Sequence, residues 1–94
     1  YRLAQALANE DRHKEAVAAY RDALDKEEGL KDLEEVQFWM GISLMQLSEW
    51  DDASKAFRAA AKDKDRRKSA NQYIQYIANE KKRLAALQEM LTSN

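Results

Sequence analysis

The chain has 94 residues, 45% of them hydrophobic and 35% charged, with no Pro, no Cys and only 2 Gly. So few helix breakers exclude an all-β or loop-rich fold, and the lack of Cys excludes disulfides and thiolate metal sites. The 16 Lys and Arg against 17 Asp and Glu leave no net field to attract nucleic acid, an anionic membrane or an acidic substrate.

Tyr1 opens directly into an apolar-periodic segment, with no Met, polar leader or capping residue before it. The chain is therefore expected to begin inside a helix, as a fragment of a longer protein. Leu3, Ala4, Leu7 and Ala8 recur at three- and four-residue spacings, which places them on one stripe of a first helix. Asn9 to Arg12 breaks that stripe: Asn9 tolerates the left-handed conformation that ends helices, and Asp11 is placed to cap the next one. Ala16, Val17, Ala19, Tyr20, Ala23 and Leu24 then predict a second helix from His13 to about Lys26, with Gly29 closing it.

Asp32 and Glu35 have the spacing of a capping box, and an apolar run through Val36, Phe38, Trp39, Met40, Ile42, Leu44, Met45 and Leu47 follows. A helix apolar on nearly every side is expected to have neighbours on more than one side. Ser48 with Asp51 marks the start of a fourth helix, which carries Trp50, Ala53, Ala56, Phe57, Ala60 and Ala61 inward. Lys62 to Lys68 is purely charged and predicts a solvated turn, capped by Asp63 or Asp65. From Arg66 to about Leu91 neither Gly nor Pro occurs, so one long helix is expected. Its seam runs Tyr73, Ile77, Glu80, Leu84, Leu87, Leu91, a heptad pattern interrupted only by Glu80. Thr92 to Asn94 should fray. No apolar run approaches the roughly 20 residues of a membrane span, and no signal-like segment is present.

Two segments repeat each other. Leu3, Ala4, Leu7, Ala16, Tyr20 and Ala23 recur as Met40, Gly41, Leu44, Ala53, Phe57 and Ala60, a period of 37 residues between Ala16 and Ala53. With Trp50 and His13 at the openings of the second helices, the pattern resembles the tetratricopeptide repeat family, whose unit is a helix-turn-helix of 34 residues. The extra residues fit the loop from Gly29 to Asp32. Small residues allow close helix crossing, and the aromatics Tyr20 and Phe57 fill the space toward the next unit. Two family features are missing: the proline after the second helix, and the turn glycine, replaced here by Asp11 and Ser48.

The resemblance implies one all-α domain. Residues 1–28 form a truncated first hairpin, residues 32–65 a second, and residues 66–91 a C-terminal capping helix through Tyr73, Ile74 and Ile77. Beyond Lys81 that helix projects past the hairpins and exposes Leu84, Leu87 and Leu91. Such a stripe folds back on the chain, meets the same helix of another copy in a homo-oligomer, or meets a sequence missing from this fragment.

Little in the sequence suggests chemistry. His13 is the only histidine, stands where the family places an aromatic, and reads as a packing residue. No second His, Cys or carboxylate cluster at ligand spacing accompanies it, so neither a metal site nor a nucleophile-base pair is expected. Glu27, Glu28, Glu34 and Glu35 read as charged helix ends, since no apolar pocket is indicated that would shift their pKa values. The basic clusters Arg66 to Lys68 and Lys81 to Arg83 are flanked by Asp63, Asp65 and Glu80 and contain no aromatic to stack on bases. They read as solvated faces, not as a nucleic-acid interface.

The resemblance instead implies a non-enzymatic scaffold that needs no cofactor and holds a protein or peptide partner in a concave groove. The lining would come from Gln5, Ala8 and Asn9 of the first copy, and from Phe38, Ile42, Met45 and Gln46 of the second. Gln72 and Tyr76 of the last helix complete it. Phe38, Ile42 and Met45 serve either as that lining or as core beneath a neighbouring helix. The Lys, Asn and Arg clamp by which some family members hold a terminal carboxylate is matched only by Asn9.

Overall fold

The computed structural model describes residues 2–26 and 32–93. Among these the protein is all-α, with helices α1 (Arg2–Asn9), α2 (His13–Lys26), α3 (Leu33–Gln46), α4 (Trp50–Ala60) and α5 (Lys64–Thr92). Gly29, Glu27 and Glu28, and the loop expected to hold the extra residues, lie outside the described residues.

Each of the first four helices packs on its successor, and α5 lies on α4 and α3. The turns within the two hairpins are built alike. The Asp11 amide donates to the Ala8 carbonyl at 3.0 Å and the Arg12 amide to Leu7 at 2.9 Å; 37 residues later, Ser48 donates to Met45 at 3.0 Å and Glu49 to Leu44 at 2.9 Å. Asp11 and Ser48 take the left-handed conformation, at φ 61° and 60°. The second helices then start from the same bond, Ala16 to the Arg12 carbonyl and Ala53 to the Glu49 carbonyl, both at 2.9 Å. The sequence period is therefore matched by a repeated backbone geometry.

These turns correct three local expectations. Asp11, not Asn9, is the left-handed residue, because α1 runs through Asn9 and the chain reverses two residues later. Asp11 is then too early to cap α2. Ser48 is likewise committed to the turn, so the N-cap of α4 is Glu49, with no side-chain cap bond. At α3 the expected box does not close: Asp32 occupies the N-cap position, but its side chain makes no cap bond. Glu35 instead pairs with Arg66 at 3.0 Å. The charged turn before α5 is shorter than expected, since Asp63 caps the helix by accepting from the Asp65 amide at 3.1 Å.

One core runs through all five helices. Ala16 and Ala53 are wholly buried, as are Tyr20 and Phe57 at the matching places in the two hairpins. Gly41 shows why a small residue is needed where α3 crosses α4: a Cβ there would stand 2.9 Å from Cε1 of Phe57. That ring is held in place. Tyr73 stacks on it at 4.9 Å with 10° between planes, and Phe38 meets it edge-on at 5.6 Å. Helix α3 has neighbours in α2, α4 and α5, which accounts for its lack of a polar face.

Ala70 and Ile77 are buried against the body, with Tyr73 and Ile74 half-buried beside them. From Lys81 onward every described residue of α5 is exposed. The cause is a length mismatch: α4 has 11 residues and α5 has 29. Because α4 is the shorter, its N-terminal turn meets α5 at Lys81, whose ammonium lies 2.5 Å from Asp51. No helix among the described residues is long and apolar enough to cross a membrane.

Candidate functional site

Two concavities flank α3. The larger, of about 420 Å³, is lined by Phe38 together with Ser69, Gln72, Tyr73 and Tyr76 of α5. The smaller, of about 180 Å³, is lined by Gln5, Ala8 and Asn9 of α1, Tyr20 of α2 and Trp39 of α3. Phe38 of the first and Trp39 of the second have ring centroids 5.5 Å apart in an edge contact. Helix α3 thus contributes an aromatic side chain to each, and the two concavities together form the candidate surface.

Its make-up is aromatic with uncharged polar groups. Phe38 is almost fully buried and forms a floor, whereas Tyr76 is half-exposed and forms a rim. The Arg66 guanidinium stands 5.6 Å from the Phe38 ring centroid and is anchored by Glu35 at 3.0 Å and Asp63 at 3.9 Å. A partly desolvated cation over a ring face is favourable, and here it also fixes the aromatic. The carboxamides of Gln5, Asn9 and Gln72 each offer both donors and acceptors.

Gln5 and Asn9 are together in the smaller concavity, and Phe38, Gln72 and Tyr76 in the larger. Ile42 and Met45 line neither; they pack half-buried against the core, while Gln46 is exposed. Between the two roles left open for Phe38, it takes both, as core residue and as groove floor. Trp39, Ser69 and Tyr73 also line the surface, beyond the lining that the resemblance implies. Ser69 and Tyr73 were legible as helix-face neighbours of Gln72 and Tyr76 at three- and four-residue spacing. Trp39 was not, because an all-round apolar helix gives no polar face from which to orient it.

Elsewhere, His13 Nδ1 lies 3.3 Å from the Ser43 hydroxyl, and His13 Nε2 lies 3.6 Å from Asp11. The three residue types are those of a hydrolytic triad, but the Ser43 side chain is 1% exposed, so no substrate reaches its oxygen. The contact ties α2 to α3. Among the described residues no group of three or more His, Asp or Glu side chains is placed to hold a metal ion. The basic clusters are engaged within the chain: Arg66 as above, Arg67 donating to the Ala61 carbonyl at 2.9 Å, Lys81 to Asp51 and Arg83 to Glu80. Hydrogen bonds from Lys81 and Arg83 hold the carboxyls of Asp51 and Glu80 below their ordinary pKa values. Comparison with protein families, curated proteins and solved structures finds no match to this chain.

Proposed function

We propose that the chain is a non-enzymatic interaction module of tetratricopeptide type, which holds a segment of a protein partner in the recessed surface of α1, α3 and α5. The observation that carries this is the edge contact of Phe38 and Trp39, one lining each concavity, which brings aromatic groups of both within reach of one bound segment. Aromatic side chains in a recess supply large contact area at low entropic cost, and the amides around them orient the guest. Helices formed before binding keep the ordering cost low. No cofactor enters this reading.

A displayed random-peptide library panned against the chain tests it. Enriched peptides are expected to bind at least tenfold more weakly to Trp39→Ala and to Tyr76→Ala, and equally well to Lys64→Ala, which lies off both concavities. Both aromatic positions are sufficiently exposed for the fold to tolerate truncation. Absence of enrichment, or enriched peptides indifferent to both aromatic variants, overturns the assignment.

A further inference from the structure

The exposed half of α5 belongs to the same surface as the larger concavity. An α-helix returns to the same orientation after 18 residues, five turns of 3.6. Ser69, Gln72 and Tyr73, which line the concavity, stand 18 residues before Leu87, Met90 and Leu91 on the unbroken α5. Leu84, Leu87, Met90 and Leu91 are 39, 43, 67 and 79% exposed. Groove wall and leucine stripe therefore form one face, about 33 Å from Ser69 to Leu91 at 1.5 Å per residue. Along it Tyr73, Tyr76, Glu80, Leu84, Leu87 and Leu91 follow three- and four-residue steps, the spacing that accepts the side chains of a second helix.

Charge selects among the possible occupants. Lys81 and Arg83 stand on opposite sides of the stripe, while Glu89 is on the far face of the helix. Glu80 lies within the seam, held by Arg83 at 2.9 Å. An antiparallel two-fold pairing of two copies that set Leu91 beside Tyr73 would be centred on Lys82, midway between them. It would bring Lys81 and Arg83 against their own counterparts, and like charges at a helix seam oppose pairing. Lys81 pairs with the exposed Asp51 and Arg83 with the partly buried Glu80, yet both cations keep about half of their own side-chain surface in solvent, 52 and 57%, on the flanks where an incoming acid would lie.

Resting on the interaction-module reading above, we propose that the α5 face takes an amphipathic partner helix of about 20 residues whose apolar stripe is flanked by Asp or Glu.

The test uses two synthetic 22-residue helical peptides with the same leucine spacing, one with Glu and the other with Lys at the flanking positions. Each is titrated into the full chain by calorimetry at low and moderate salt, and the chain alone is examined by sedimentation equilibrium. The Glu-flanked peptide is expected to bind at least tenfold more tightly, the difference shrinking as salt rises. Leu84→Glu and Leu87→Glu should each weaken it at least tenfold with an unchanged helical circular dichroism spectrum, and the chain alone should be monomeric. Equal affinity for both peptides overturns the proposal. So does concentration-dependent dimerisation abolished by Leu87→Glu, which assigns the stripe to a second copy. Failure of both helical peptides, while library-selected peptides still depend on Trp39 and Tyr76, overturns the helical partner and leaves the recessed surface standing.

Discussion

Replacing Gly41 by Ala isolates the contact on which the α3–α4 crossing depends. In a solvated helix this change would stabilise by about 1 kcal/mol, because Ala has the higher helix propensity. Here the new methyl group would lie 2.9 Å from Cε1 and 3.0 Å from Cζ of Phe57. The ring cannot swing aside without losing its stack on Tyr73 at 4.9 Å and its edge contact with Phe38 at 5.6 Å. Overpacking of this kind costs about 1–3 kcal/mol, so the net expected effect is a destabilisation of about 1 kcal/mol. For a domain of this size that lowers Tm by about 4–8 °C, readable by thermal unfolding followed by circular dichroism. The same change made together with Phe57→Leu, which removes the crowded ring atoms, should cost less than the two single changes combined, by at least about 0.5 kcal/mol. A rise in Tm for Gly41→Ala alone would refute the close-crossing argument.

Three further outcomes are expected. Ser48→Gly should raise Tm by a few degrees, since a left-handed φ of 60° costs an L-residue about 1–2 kcal/mol and Gly returns only about 0.5–1 kcal/mol of this as backbone entropy; Asp11→Gly should gain less, because Asp tolerates that conformation. Ser43→Ala should cost about 0.5–1.5 kcal/mol in urea unfolding, by removing the buried hydroxyl that meets His13 across α2 and α3. The Asp51–Lys81 pair lowers the folded-state pKa of Asp51, so its stabilising contribution is present above the ordinary value of 3.8 and disappears as pH falls through the lowered folded value. Asp51→Asn should accordingly have a lower Tm than the parent at pH 6, with the two curves converging in strong acid; a constant gap would refute the linkage.

Much of this architecture is written locally. Helices form where apolar residues recur every three or four positions and no Gly or Pro intervenes, and both conditions can be checked within a dozen residues, so the spans of α2 and α4 follow closely from spacing alone. The 37-residue echo of Ala16 and Tyr20 in Ala53 and Phe57 likewise needs only a comparison of the chain with itself, and the burial of all four agrees with it. Capping is also local, yet Asp11 and Ser48 stand in the turns ahead of the caps, and Asp32 holds the N-cap position without a side-chain cap bond. The tight reversals claimed Asp11 and Ser48 for left-handed φ values, which Asp tolerates and Ser does not favour.

Orientation and extent came from elsewhere in the molecule. Because α3 is apolar on every side, its own residues carry no preference between Phe38, Trp39 and Ile42 as lining, and it took α1 and α5 packed on either flank to leave Trp39 at a groove and Ile42 against the core. Pattern shows α5 to be one unbroken helix, and the projection expected from Lys81 agrees with the exposure found there; what sets that point is how far the shorter α4 reaches in the opposite direction. Periodicity thus sets which residues share a face, while burial of a given face is a property of neighbours brought together over long sequence separations. The partly covered surface from Phe38 to Leu91 exists only because those neighbours stop short.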